Sequence, residues 1–165
     1  MRSPLFLWSI QWHFPSAHQH RFTLLDTTKT PVTLSSLKGQ TVILAFFPAA
    51  FTGVCKAEMC SFQSAIQRLN SAKAAVLGVS ADIPFSNGAF AKPTVSPSLS
   101  CRTSTSTPSA PMTFSLRTSR HQGLTRSSRA TFVIDAEGII RHVHVTENPG
   151  VEPNYDEIYA AAEAL

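Results

Sequence analysis

The amino-acid sequence predicts an α/β fold, and three observations carry that expectation. Residues 41–47, TVILAFF, are a continuous run of β-branched and aromatic side chains bounded by Gly39 and Pro48, the pattern of a mid-sheet strand buried on both faces. Beyond Pro48 the apolar spacing changes to Phe62, Ile66 and Leu69, at i, i+4 and i+7, so a helix is expected over about 53–70 with that stripe inward. AAVLGVS, 74–80, then returns to the pattern of a buried strand.

The remaining elements follow in chain order. FTLLD at 22–26, the polar TTKT and VTL at 32–34 read as strand, turn and strand, although no glycine marks the turn. SSLKG offers a serine cap, one helical turn and a glycine stop. ATFVID at 130–135 and IIRHVHV at 139–145 flank AEG as a hairpin, and His142 and His144 alternate onto what reads as an exposed face. The Ala-rich YDEIYAAAEAL at 155–165 is helical by propensity.

With 165 residues, 43% of them hydrophobic, the chain suits one domain with one core. The expected organisation is an atypical segment at 1–20 and a domain over 21–165, interrupted by an irregular Ser/Thr/Pro-rich interval at about 93–126. Within 93–119, 18 of 27 residues are Ser, Thr or Pro, with no helical or alternating period, and such a stretch buries too little apolar surface to offset its ordering entropy. It is either a disordered insertion or a segment translated in a shifted reading frame. The clean strand pattern that resumes at ATFVID favours the second, and residues 1–20, rich in His, Trp and Ser, share that reading. The coding DNA separates the two: an alternative frame that restores a normal segment supports the shift, and its absence refutes it.

Charge and cysteine usage exclude several function classes. The net charge of +4 is concentrated between Asp82 and Asp135, where six Lys and Arg residues face no acid. These positives are spread through Ser, Thr and Pro without the aromatic interleaving of a nucleic-acid surface. No stretch approaches the roughly 18 apolar residues of a membrane span, and the short run 4–10 after Arg2 lacks a signal-peptide cleavage site. Three unevenly spaced cysteines, Cys55, Cys60 and Cys101, argue against a secreted disulfide framework and for a reducing compartment, the cytoplasm. Cys101 has no motif around it. His13, His18 and His20 share no spacing with a carboxylate or thiol, so neither a metal nor a cofactor is expected.

Cys55 carries the chemical interest. It falls at the start of the expected helix after a buried strand, where unpaired N–H groups and the positive end of the macrodipole face its sulfur and favour the thiolate. Thr52 can place a hydroxyl beside that sulfur or beside an oxygen approaching it, and Pro48 ends the strand where it would screen the thiolate from water. On these residues alone, Cys55 is either a nucleophile or a small buried hydrophobe.

Pro48, Thr52 and Cys55 in PAAFTGVC, followed by Glu58 in CKAE, resemble the P-x-x-x-T-x-x-C motif of the peroxiredoxins of the AhpC/TSA type. The likeness runs over about two-thirds of the chain and fails at 1–20 and 93–126. It implies a thioredoxin-like fold with peroxiredoxin additions, a central mixed sheet flanked by helices, and reduction of hydrogen peroxide and organic hydroperoxides. Residue by residue, it implies that Cys55 is the peroxidatic cysteine that becomes a sulfenic acid, that Thr52 hydrogen-bonds the peroxide and that Pro48 shields the site. Arg129 in RATFVID matches the family's arginine before a later strand, and Glu58 would orient it.

The resemblance reaches the bacterioferritin-comigratory-protein and one-cysteine subgroups, some of which carry a resolving cysteine where Cys60 stands in CKAEMC. Five helical positions are about 7.5 Å of rise, beyond the roughly 7 Å Cα separation a disulfide spans. Cys60 is therefore either a resolving cysteine, whose bond requires the helix to unwind, or a bystander in a one-cysteine enzyme. The implied partners are a peroxide, thioredoxin or another thiol reductant, and a second copy in a homodimer, with no nucleic acid and no membrane. Two readings compete: a thioredoxin-type thiol–disulfide oxidoreductase, which would want C-x-x-C where Glu58 stands, and an inactive product that retains part of the fold.

Overall fold

The computed structural model describes residues 23–94, 100–103, 119–121, 124–126, 128–146 and 148–165; for 93–94, 100–103, 119–121 and 124–126 the description is of the backbone alone. The strands are β1 (Thr23–Asp26), β2 (Pro31–Thr33), β3 (Thr41–Phe46), β4 (Ala74–Ser80), β5 (Ser100–Thr103), β6 (Ser119–His121), β7 (Leu124–Arg126), β8 (Ala130–Ile134) and β9 (Ile140–Val145). The helices are α1 (Gly53–Ser64), α2 (Ile66–Ser71), α3 (Pro84–Thr94) and α4 (Tyr155–Glu163). A mixed sheet in the order β2-β1-β5-β4-β3-β8-β9 forms the centre, and β6 and β7 make a separate antiparallel pair. β4 runs parallel to β3 and β5, whereas β8 is antiparallel to β3.

Strand β3 is the middle of this sheet because its residues are apolar on both sides. Ile43, Ala45 and the following Phe47 face a core shared with α1–α4, including Met59, Phe62, Leu69, Phe90 and Ile158. Val42 and Leu44 point the other way, into a cluster with Leu34, Leu77, Phe132 and Ile134. Alternation is built into the strand, so an uninterrupted apolar run is the sequence signature of two buried faces.

The turn between β1 and β2 needs no glycine, because the Asp26 side chain organises it. Its Oδ1 accepts from the N–H groups of Thr28 and Thr30 at 2.8 and 2.9 Å, which holds Lys29 at φ 68°. The expected helical turn at 35–39 is a short 3-10 segment, Leu34–Leu37, and Gly39 follows at φ 90°.

The helix expected over 53–70 is two helices. At Ala65 the backbone departs from helical geometry, with ψ 3°. The Ser64 hydroxyl bonds back to the Cys60 carbonyl at 2.9 Å, and Tyr159 of α4 donates to the Ser61 carbonyl at 3.1 Å. Side-chain competition for these carbonyls bends or breaks helices. Ile66 is consequently only half-buried, while Phe62 and Leu69 are inside. Helix α3 has no apolar stripe in the sequence; it starts at Pro84, a residue suited to a first helical turn. β5 lies in the interval without sequence periodicity and takes its pairing from β4 and β1.

His142 and His144, expected on an exposed face, are half-buried. They pair with Val133 and Thr131, and cross-strand partners point to the same side of a sheet; that side is the helix-covered core containing Val133. Cys101 sits in β5 with its side chain outside the description, and His13, His18 and His20 lie outside the described residues.

Phe62 joins α1 to α4 through edge contacts with Tyr155 and Tyr159, at centroid separations of 5.8 and 6.0 Å, and its side chain is fully buried. Phe62→Ala should lower the unfolding free energy by about 3–5 kcal/mol, read as a shift in the urea midpoint with unchanged slope; a loss below about 1 kcal/mol contradicts this packing.

Candidate active site

The topology brings together residues far apart in sequence. Because β8 is antiparallel to β3 with Ala130 opposite Phe46, the residue before β8, Arg129, lies at the end of β3 where the chain turns into α1. β4 is parallel to β3, so the loop beginning at Ser80 reaches the same end. Sites in open α/β sheets gather at such carboxyl ends of strands.

Cys55 is the third residue of α1, and its side chain is 1% exposed. The first bond of the helix is from the Lys56 N–H to the Thr52 carbonyl, at 2.9 Å, so the N–H groups of Gly53, Val54 and Cys55 precede the helical ladder. No acidic residue occupies the first turn and no side chain caps it, leaving the positive end of the helix uncompensated by the protein.

Arg129 is as buried as Cys55, at 1%. Its Nη2 lies 3.4 Å from the Cys55 sulfur. Nη1 forms a salt bridge with Oε2 of Glu58, one helical turn after Cys55. Nε and Nη2 both donate to the Pro149 carbonyl, at 3.1 and 2.8 Å. The loop after β9 is held there by the Thr146 N–H and hydroxyl, which donate to the Arg129 carbonyl at 3.1 and 3.2 Å. Pro149 is the contact of Arg129 that reading the sequence missed; its only signal is the turn-forming Asn-Pro-Gly of 148–150.

Glu58 is fully buried, and burial pushes its carboxyl up to about 7 against the opposing pull of Arg129. The charge of Glu152 pushes in the same direction. Oxygen Oε1 of Glu58 is buried and has no hydrogen-bond donor among the described residues.

The expected neighbours Pro48 and Thr52 sit on the loop leading into α1. Pro48 is half-buried after the last residue of β3. Thr52 is exposed, with its hydroxyl donating to the Ala49 carbonyl at 3.1 Å rather than reaching into the cluster. The loop is pinned by Asp82, whose Oδ2 accepts from the Ala50 N–H at 2.7 Å and from the Ser80 hydroxyl at 3.1 Å. Between these anchors Phe51 adopts φ 63°, a conformation costing on the order of 1–3 kcal/mol for a bulky residue. Its ring is 64% exposed and meets Phe90 edge-on at 5.4 Å.

Cys60 is half-buried on the same continuous helix as Cys55, and both thiols are free. Among the described residues, no group of three or more His, Cys, Asp or Glu is placed to hold a metal ion, and no helix is long and apolar enough to cross a membrane.

The raised Glu58 carboxyl gives stability a definite pH dependence. Between the ordinary value of 4.5 and about 7, the folded state binds more protons at this site than the unfolded state, so stability falls as pH rises through that window. The full effect is about 3 kcal/mol. Urea unfolding of the native protein and of Glu58→Gln at pH 4.5–7.5 should show this component in the first and not in the second; identical pH slopes contradict it.

The model for the AhpC/TSA family matches residues 16–143, which include Pro48, Thr52, Cys55, Glu58 and Arg129. The chloroplastic peroxiredoxin Q of Sedum lineare is 41% identical over 71 residues, 43% of this chain and 38% of that protein. The matched stretch thus spans well under half the length of such plant relatives. Peroxiredoxin TSA1 of Saccharomyces cerevisiae is 30% identical over 154 residues, covering 86% of this chain and 73% of the yeast protein. The crystal structure of peroxidoxin BcpB from Mycobacterium tuberculosis superposes with a TM-score of 0.71 at 27% identity, over 88% of this chain and 94% of that one. A thioredoxin-like sheet, a cysteine at the first turn of the following helix and a family model spanning both place this chain in the AhpC/TSA family.

Proposed function

We propose that the protein is a thiol-dependent peroxidase that reduces hydrogen peroxide and organic hydroperoxides through Cys55. The observation that carries this reading is the fully buried Arg129, with one guanidinium nitrogen 3.4 Å from the Cys55 sulfur at the start of α1. A fixed cation and an uncompensated helix N-terminus both favour negative charge on that sulfur, and only the thiolate attacks. The thiolate attacks the distal peroxide oxygen: the S–O bond forms, the O–O bond breaks, and the alkoxide, or hydroxide from hydrogen peroxide, leaves to be protonated. Charge spreads over sulfur and two oxygens in the transition state, where preorganised donors act most strongly.

Within this reading Arg129 stabilises the thiolate and the departing oxygen, and Glu58 and the Pro149 carbonyl hold its fork in place. Thr52, exposed at the mouth, offers its hydroxyl to the incoming peroxide once its bond to Ala49 is exchanged. Pro48 screens the sulfur from the loop side. The resulting sulfenic acid is returned to thiol by thioredoxin or another thiol reductant.

Cys60 is the resolving candidate. α1 holds it too far along the helix to bond Cys55, so resolution requires the first turns to unwind. The missing side-chain cap and the absence of first-turn acids lower the cost of doing so by about 1 kcal/mol relative to a capped helix. A homodimer fits the exposed Phe51, Ile83 and Phe85, 57–66% accessible beside the same end of the sheet; a sedimentation coefficient of a monomer at micromolar concentration would remove it. A reducing compartment such as the cytoplasm suits free thiols; recovery in an oxidising compartment alone speaks against it.

The expected kinetics are specific. Native protein with dithiothreitol should consume hydrogen peroxide, Cys55→Ser should not, and Arg129→Lys should lose roughly 10²–10³-fold in rate. Folded native protein that leaves peroxide untouched overturns the reading. Peroxide-treated protein should yield a Cys55–Cys60 disulfide by peptide mass spectrometry; sulfenic or mixed species alone assign Cys60 no resolving role.

A further inference from the structure

Cys55, Glu58 and Arg129 are two acids and one cation in a space that excludes water, each at most 1% exposed. Arg129 provides the one ion pair Glu58 makes among the described residues. The other charged and titratable groups facing Glu58 add no positive charge: Glu152, in the loop before α4, repels it, and Tyr155, on α4, donates its hydroxyl to Glu152 Oε2 at 2.6 Å. A single guanidinium balances one buried anion. A second, uncompensated one would cost several kcal/mol. Glu58 is the acid whose surroundings favour a neutral form: Oε1 is buried without a protein donor, and burial outweighs the pull of Arg129.

We propose that Glu58 keeps a proton while Cys55 is the thiolate and gives it up in the oxidation step, making it the proton reserve of the peroxidase reaction. This rests on the peroxidase reading above and adds a proton balance to it. The sulfur lone pair attacks the distal oxygen of ROOH, sulfur is oxidised by two electrons and the peroxide is reduced. The distal oxygen keeps its hydrogen and becomes the sulfenic hydroxyl. The alkoxide leaves with the O–O electron pair and takes the proton given up by Glu58, departing as ROH, or as water from hydrogen peroxide. As sulfur loses its negative charge, the Glu58 carboxylate gains one. The buried cluster therefore holds one anion against Arg129 before and after the step, and the charge never has to be compensated by solvent. Glu58 does this from one helical turn beyond Cys55, on the nitrogen of Arg129 next to the one that meets the sulfur.

The test is difference infrared spectroscopy on the full chain carrying Cys60→Ser and Cys101→Ser, so that the sulfenic acid persists, at pH 6–6.5 with one equivalent of hydrogen peroxide. The reduced protein should show a protonated-carboxyl C=O band that moves on ¹³C-carboxyl labelling of glutamate and disappears in step with sulfenic acid formation. A pH indicator should record no net proton uptake in that protein and about one proton per sulfenic acid when Glu58→Gln is added. Because the isotope assigns the band in a chain with Glu58 intact, the result stands even if Glu58→Gln does not fold. Absence of the band in the reduced protein, or a band that oxidation leaves in place, overturns the proton reserve while the peroxidase reading survives. Failure of peroxide to oxidise Cys55 at all overturns the peroxidase reading and, with it, the reserve.

Discussion

A guanidinium buried at the 1% level has exchanged water for protein on every side, and the structure around Arg129 is organised by the need to satisfy it. An unpaired buried charge costs several kcal/mol, and here the donors are met by a carbonyl, a carboxyl group and a sulfur. The acceptors come from two separate parts of the fold: the carbonyl is Pro149, in the loop after β9, and the carboxyl group and sulfur are both on α1. Arg129 itself is placed by the antiparallel register of β8 on β3. Sheet register, helix position and loop closure thus converge on one side chain, so the site cannot be assembled without the fold that surrounds it.

The same burial makes the site chemically asymmetric. On the cluster side, Cys55, Glu58 and Arg129 are dry, and their interactions are strong because little solvent screens them. On the loop side, Thr52 and Phe51 are exposed, and the backbone from Ala49 to Thr52 is held by Asp82 and by the bond from Thr52 to Ala49. In the proposed reaction the peroxide comes from that side, where the loop carries a left-handed Phe51 and the helix begins without a cap. The rigid charge cluster and the lightly secured helix start are therefore adjacent but distinct. In the proposed reaction the first acts on the sulfur, and the second is where the first turn of α1 would move once the sulfur is oxidised.

Much of this was legible in the sequence, for physical reasons that differ by element. Residues 42–46 are apolar at every position, and only a strand with two covered faces accommodates that, so β3 and the helix behind it could be read locally. Cys55 at the helix start was legible for the same reason, with Pro48 and Thr52 spaced before it. Legibility ended where one residue's role is decided by another far along the chain. The break at Ala65 depends on Tyr159 bonding the Ser61 carbonyl, a contact 98 residues long that no helical period records. The burial of His142 and His144 depends on which face of β9 the helices cover. β5 takes its place from its neighbours and not from its Ser/Thr-rich composition. Arg129 could be picked out only through the family resemblance, and the carbonyl of Pro149 not at all, because a backbone acceptor leaves no mark on residue type.

The central claim is that Arg129 and Glu58 act on Cys55 as one buried unit. A double-mutant cycle on the second-order rate of Cys55 oxidation by hydrogen peroxide, using Arg129→Lys, Glu58→Gln and the pair, measures this directly. The expected result is strong non-additivity, with the pair much less slow than the product of the two single effects. Additive effects of the two substitutions would mean that each reaches the sulfur independently, and would contradict it.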